Sequence, residues 1–170
     1  MKFNDTPQIT GKTLAVLPYY MNDDTLGSRV MEKDREYHTH LSPKNVVDLG
    51  CKAHGSDLRG RLSGAQYVTG FSRKTPIAID TYNKLYFFPT SSPNSNECVW
   101  ICYNHILYIE KVKTKLTRVH FSNGQSLLVN ISYLSLNNQI QKTAQFRNLL
   151  EQRINKLQKE IEHDLLELQS

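Results

Sequence analysis

Cysteine is scarce in this sequence, with three residues in a chain of 170. An odd cysteine count, together with an N-terminus that lacks the apolar core of a secretory signal, argues against a disulfide framework. Long hydrophobic runs are absent too, since none approaches the ~20 residues that a membrane span needs. We therefore expect a reduced cytoplasmic protein with no membrane partner.

Acidic residues are few in the middle of the chain. Residues 51–147 contain twelve Lys and Arg against four Asp and Glu, whereas residues 1–50 contain six against seven and residues 148–170 contain three against five. The middle segment thus carries a net charge of +8 and the flanking segments −1 and −2, so the excess of positive charge is confined to the middle. This predicts a polyanionic partner such as nucleic acid. The alternative is a solvated surface with an excess of lysine and arginine.

Hydrolytic chemistry has little support. The four carboxylates of the basic segment, Asp57, Asp80, Glu97 and Glu110, are scattered along it rather than clustered as a magnesium-dependent nuclease needs. A Gly-x-Ser-x-Gly elbow is absent, and no histidine has an obvious nucleophile beside it. We therefore predict that the protein is not an enzyme.

Residues 55–76, "GSDLRGRLSGAQYVTGFSRKTP", combine four glycines with four cations. The spacing of Gly55 and Gly60 matches a phosphate-binding P-loop, but Arg61 replaces the required lysine and Leu62 replaces the hydroxyl that would hold magnesium. We reject the nucleotide-hydrolase interpretation. The stretch is predicted instead to be a basic loop and strand entry that carries Arg61 and Lys74 to phosphates or into a minor groove.

The secondary-structure pattern predicts an α+β fold with an antiparallel β-sheet. Ser42 can cap a short helix near 43–54, and Asn123-Gly124 has the chemistry of a type I′ hairpin turn. A long C-terminal helix begins after Ser132 or Ser135. Residues 1–134 would form a mainly β DNA-binding body, and residues 135–170 a helix of the same domain. Predicted strands are "TLAVLPYY", "SRVMEK", "AQYVTGF", "PIAID", "KLYFFPT", "CVWICYNHILYIEKV" and "KLTRVHF".

An apolar stripe runs along the C-terminal helix. Its members recur at helical spacing: Leu150, Ile154, Leu157, Ile161, Leu165 and Leu168. The stripe covers about two and a half heptads, which is short for an independent coiled coil. It can complete a dimer or fold back on its own domain, and we favour the dimer slightly.

Two clusters of cysteine and histidine raise the possibility of zinc. Cys51 precedes His54 by three positions, and Cys98, Cys102 and His105 follow the same kind of spacing. On a strand, however, Cys98 and Cys102 lie ~13 Å apart, and cysteine is commonly a small buried hydrophobe. We predict no metal and no cofactor, and keep a zinc-stabilised RNA binder as a third hypothesis.

Several motifs follow one another in a fixed order over about residues 13–147: "TLAVLP", "EKD", "VVDLGC", "SRKTPIAI", "FFPTSS", "CVWI", "FSNGQSLLVNISYLSLNNQ" and "KTAQFR". Over these residues the chain resembles the ComK family, the competence transcription factors of Gram-positive bacteria, in which the same motifs occur in the same order.

The resemblance implies a nucleoid-associated activator that binds paired A/T-rich boxes in double-stranded DNA, largely through the minor groove, as a homodimer or higher oligomer. It further implies contact with RNA polymerase and control by an adaptor of a Clp protease. Family chains continue past the position of Ser170, so this chain resembles a C-terminally shortened paralogue. The alternative function is therefore an interaction module that does not read DNA and modulates a paralogue by mixed oligomerisation.

Seven cations are the predicted DNA-binding residues. Arg61 lies in the family's basic glycine-rich loop between Gly60 and Gly64, and Lys74 lies in its Ser-x-Lys-Pro-Pro segment. Lys142 and Arg147 stand where the family has arginines. The remaining members rest on charge alone, and the full set is Arg59, Arg61, Arg73, Lys74, Arg118, Lys142 and Arg147. Most aromatics of the segment lie in strand-like runs, which favours duplex DNA over base stacking on a single strand.

Overall fold

A computed structural model describes residues 2–170 of the chain. Over those residues the chain forms nine strands and three helices. The strands are β1 (Thr13–Tyr20), β2 (Leu26–Glu32), β3 (Glu36–Thr39), β4 (Ile77–Asp80), β5 (Leu85–Pro89), β6 (Trp100–Cys102), β7 (Ile106–Lys113), β8 (Leu116–Phe121) and β9 (Ser126–Val129). The helices are α1 (Pro43–Lys52), α2 (Leu58–Thr69) and α3 (Tyr133–Gln169).

A six-stranded antiparallel sheet in the order β3-β2-β1-β6-β5-β4 lies at the centre of the molecule. Because successive side chains of a strand point to opposite faces, each strand supplies both sides of the sheet. Phe87 and Trp100 belong to the core beneath α1 and α2, whereas their chain neighbours Phe88 and Ile101 belong to the core on the other face. Both faces are therefore apolar, and both need a covering layer.

The second face is covered by a three-stranded antiparallel sheet, β7-β8-β9, together with the first turns of α3. Strand β8 alternates regularly between half-buried and buried residues, with Val119 and Phe121 turned inwards. Leu136 of α3 is fully buried in the same cluster. The architecture is thus three-layered, and the predicted α+β class with a C-terminal helix is confirmed.

Helices α1 and α3 begin as the sequence predicts. The Ser42 hydroxyl accepts a hydrogen bond from the Asn45 N–H at 3.3 Å, and the Ser132 hydroxyl accepts one from the Ser135 N–H at 3.2 Å. A hydroxyl at this position satisfies an amide that has no partner within the helix. The cap of α3 is therefore Ser132, the first of the two predicted candidates.

The prediction of a loop and strand at residues 55–76 is wrong, because residues 58–69 form helix α2. Asp57 caps the helix by accepting a hydrogen bond from the Gly60 N–H at 2.7 Å, and Gly70 ends it in the left-handed conformation at φ 78°. A Cβ at Gly60 would lie 2.8 Å from the Ser56 hydroxyl oxygen, so a larger residue there would require the Ser56 side chain to move. Tertiary packing of Leu58 and Ala65 overrides the weak helix propensity of this stretch.

Two further predictions are corrected. The run from residue 98 to 112 is not one strand, because a 3-10 turn at Tyr103–His105 divides it between the two sheets. The turn at Asn123-Gly124 is not type I′, which needs a positive φ at both residues; only Gly124 has one, at 92°. The Gly124 N–H donates to the Phe121 carbonyl at 3.0 Å, and the Phe121 N–H donates to the Gln125 carbonyl at 2.9 Å. The hairpin therefore closes over residues 122–124, with Gly124 in the left-handed position.

The zinc hypothesis finds no support in the positions of the cysteines. Cys51, Cys98 and Cys102 are buried in the core between the six-stranded sheet and α1. Within residues 2–170, three possible metal ligands converge only at the exposed His163, Asp164 and Glu167 of α3. Over the same residues, no helix combines the length and the apolar character needed to cross a bilayer.

The three thiols should be unreactive in the folded protein. Burial raises the pKa of Cys51 and of Cys102 to about 12, and burial also raises the pKa of Cys98. Because the thiolate is the nucleophile, we expect no reaction with a chromogenic disulfide reagent at pH 8 in the native state and three equivalents in denaturant. Rapid modification of any cysteine in the native protein would contradict this packing.

Candidate nucleic-acid interface

A cleft of about 1030 Å³ lies between α1, α2 and two loops, residues 70–76 and 90–99. We call it the basic cleft, because its lining includes four cations and a single carboxylate, Asp48. The cations are Lys44 of α1, Arg59 of α2, and Arg73 and Lys74 of the first loop. The basic cleft therefore gathers three of the seven predicted DNA-binding residues, and these come from two separate elements.

The amino end of α2 opens at the basic cleft, but two carboxylates already occupy its backbone amides. Asp57 accepts from the Gly60 N–H, and Asp48 of α1 accepts from the Leu58 N–H at 2.9 Å. The hydrogen bond from Leu58 and the ammonium of Lys52, 2.9 Å away, hold the pKa of Asp48 below its ordinary value. A phosphate would have to bind the cationic side chains rather than the helix end.

The loop that carries Arg73 and Lys74 is fastened from below by α3. The buried Gln139 amide donates to the Lys74 carbonyl and to the Pro89 carbonyl, both at 2.8 Å. Lys74 itself has φ 46°, a left-handed conformation that is uncommon outside glycine. The loop thus presents its two cations on a backbone that the core fixes.

Lys142 supports this loop instead of lining the basic cleft. Its ammonium donates to the Arg73 carbonyl at 3.1 Å and lies 5.3 Å from the centroid of the Phe71 ring. Burial, and then the nearby charge of Lys74, lowers the pKa of Lys142. Lys142 therefore adds positive potential beside Arg73 and Lys74 while its hydrogen bonding is partly committed to the backbone.

Arg61 turns away from the basic cleft towards the end of α1. Its guanidinium donates to the His54 carbonyl at 3.1 Å, and its buried Nε finds no hydrogen-bond partner among residues 2–170. Successive helical residues point about 100° apart, so Arg59 and Arg61 lie on different faces of α2. The sequence pattern that paired Arg61 with Lys74 does not correspond to proximity in the basic cleft.

Arg118 and Arg147 lie outside the basic cleft and have acidic partners. Arg118 projects from β8 towards Glu110 of β7 at 3.7 Å, and Arg147 of α3 is 3.1 Å from Glu151. Arg147 also lies 6.0 Å from the centroid of the Tyr86 ring. The structure therefore separates the seven predicted cations into a group of three in the basic cleft, Lys142 beside it, and three elsewhere.

Sequence reasoning missed Lys44 as a member of the site. Lys44 occupies the first turn of α1, and its ammonium donates to Asn94 of the second loop at 2.6 Å. No sequence motif marks it, because it lies in the acidic-balanced first fifty residues, well before the basic segment. Only the packing of α1 beside α2 brings Lys44 to the cations of the middle segment.

The family model described as ComK protein matches residues 5–155. The chain belongs to the ComK family. It is also 36% identical over 147 residues to the competence transcription factor of Bacillus subtilis (strain 168), a match that covers 86% of this chain and 76% of that protein. No solved structure matches the chain.

Gln139 provides a direct test of how the loop is fixed. Replacing it with alanine leaves the carbonyls of Lys74 and Pro89 without their donor in a buried site. We expect Gln139→Ala to lower the free energy of unfolding by about 1–3 kcal/mol in urea denaturation. The matched control is Gln141→Ala on the exposed side of the same helix, which should change it by no more than about 0.5 kcal/mol. Equal losses of stability in the two variants would contradict the role of Gln139 in fixing the loop.

Proposed function

We propose that this protein is a transcription regulator of competence that binds double-stranded DNA through the basic cleft, with a preference for A/T-rich boxes read in the minor groove. The observation that carries the proposal is the convergence of Lys44, Arg59, Arg73 and Lys74 on one cleft in a member of the ComK family. The name of the Bacillus subtilis relative supports the assignment to transcription and competence.

The chemistry of the basic cleft suits a DNA backbone. Arginine forks and lysine ammoniums bind phosphate oxygens, and the narrow minor groove of an A-tract concentrates negative potential that attracts such side chains. Arg59 and Arg73 are exposed and have the length to enter a groove. The fixed backbone of the Lys74 loop reduces the conformational entropy that binding would otherwise cost.

Base stacking on a single strand is the less favoured mode. The aromatic residues of the basic segment are mostly internal, since Tyr86 and Phe87 are fully buried. Tyr67 and Tyr82 are exposed, but Tyr67 lies beside the Arg153 guanidinium of α3, 5.8 Å from its ring centroid. Cations therefore dominate the surface that a nucleic acid would meet.

Partners beyond DNA remain predictions from the family resemblance. They comprise a homodimer or higher oligomer on paired boxes, contact with RNA polymerase, and control by an adaptor of a Clp protease. The alternative function is an interaction module that modulates a paralogue by mixed oligomerisation. It is favoured by one observation, the exposed apolar residues along the last part of α3.

The first experiment measures DNA binding by fluorescence anisotropy over a range of salt concentrations. A duplex with two helically phased A/T tracts is compared with a G/C duplex of equal length. We expect tighter binding to the A/T duplex that persists as the salt concentration rises, because groove width and base edges contribute beyond the phosphates. Equal affinities for the two duplexes, both lost as the salt concentration rises, would favour the interaction module.

A charge-matched pair of variants then tests the basic cleft itself. Replacing Arg59, Arg73 and Lys74 together by glutamine should flatten the dependence of log affinity on log salt by up to about three units. The control replaces three exposed lysines of the β7–β8 hairpin, Lys111, Lys113 and Lys115, by glutamine and removes the same charge. Equal losses in the two variants would mean that only net charge matters and that the cleft is not the site.

A further inference from the structure

The last part of α3 extends from the body as a bare helix. Arg153 still lies beside Tyr67 of α2, but every residue from 155 to 170 is exposed. The predicted alternative in which this segment folds back on its own domain is therefore not what the structure adopts. Leu157, Ile161 and Leu165 are each more than half exposed, which is unusual for large apolar side chains at helical spacing.

The apolar stripe of this segment is symmetric about Ile161. Its members are Ile154, Leu157, Ile161, Leu165 and Leu168, so the intervals are three, four, four and three residues. When two such helices run antiparallel with Ile161 opposite its copy, Leu157 lies opposite Leu165 and Ile154 opposite Leu168. The stripe then closes on itself over about 21 Å of helix.

The charges of the segment decide between the two possible orientations. Residues 152–159 contain three cations and no carboxylate, whereas residues 160–167 contain four carboxylates and no lysine or arginine. Parallel pairing would place like blocks side by side. Antiparallel pairing places the basic block of each helix along the acidic block of the other, with Lys156 near Asp164 of the second copy and Arg153 near its Glu167.

We propose that residues 153–168 of α3 form a self-complementary docking surface that pairs antiparallel with the same segment of a second copy of this chain, centred on Ile161. This pairing would be the contact that forms the dimer of the proposed function. Only its role in regulation rests on that proposed function. It needs no DNA, so its failure in solution and a failure of A/T recognition are observed in different experiments.

Sedimentation equilibrium of the full chain without DNA tests the pairing. We expect a concentration-dependent mass that rises from 19.6 kDa towards twice that value. Leu165→Asp, within the stripe, should weaken association at least about tenfold. Leu166→Asp is the matched control, because Leu166 is adjacent and even more exposed, at 67% against 53%, but points about 100° away from Leu165. A monomer at all concentrations, or equal effects of the two variants, would overturn the proposal.

A charge swap tests the orientation. Lys156→Glu and Asp164→Lys should each weaken self-association, since each variant places like charges opposite one another in the antiparallel pair. An equimolar mixture should recover association, because glutamate at 156 then faces lysine at 164 and the second pair keeps its native charges. Both positions are exposed, and circular dichroism verifies that the helix persists. Failure of the mixture to exceed the separate variants would exclude the antiparallel arrangement.

Discussion

Burial of both faces of the six-stranded sheet is the constraint on which the rest of the structure depends. Its strands carry large side chains on each side, with Phe87 and Trp100 facing one layer and Phe88 and Ile101 the other. An antiparallel sheet often leaves one face to solvent, but here neither face can be exposed without a large loss of hydrophobic stabilisation. The helix pair α1–α2 and the second sheet with α3 exist where they do because each must cover one of these faces.

The site follows from that covering layer rather than from any motif. Packing α1 and α2 side by side on one face places Lys44 and Arg59 in the lining of one cleft, although fourteen residues separate them in the chain. Gln139 of α3, which covers the other face, donates hydrogen bonds to the carbonyls of Lys74 and Pro89 and so contacts the loop that bears Arg73 and Lys74. The basic cleft is therefore assembled by the layers jointly, and every element that forms it also belongs to the core.

The sequence was sufficient to predict most elements that depend on local chemistry. Local sequence signals predicted the serine caps of α1 and α3, the buried strand β1 and a long final helix. The structure agrees with these predictions. Helix α2 was missed because its two internal glycines and its Tyr67-Val68-Thr69 end favour other conformations locally. Its capping aspartate and the packing of Leu58 and Ala65 compensate, and those contacts are not visible in a linear pattern.

The same limit applies to the cations. Sequence gives their number and sign, and the concentration of positive charge in the middle of the chain predicted a polyanion-binding surface. Whether a given cation is available to a ligand depends on neighbours that are distant in the chain. Lys142 is an example, because its ammonium donates a hydrogen bond to the Arg73 carbonyl. Arg147 beside Glu151 differs in this respect, because an acidic residue four positions on is a local signal that could have been noticed.

Helix α3 has no proline or glycine between its first and last residues. One continuous helix therefore connects Gln139, which bonds the Lys74 carbonyl, to the exposed apolar stripe. The distance along α3 from Gln139 to Ile161 is about 33 Å. If two copies pair side by side and antiparallel with Ile161 at the centre, their Gln139 residues would lie about 66 Å apart along the common helix direction, close to two turns of B-form DNA. In such a pair, the length of α3 would determine the distance between the two basic clefts.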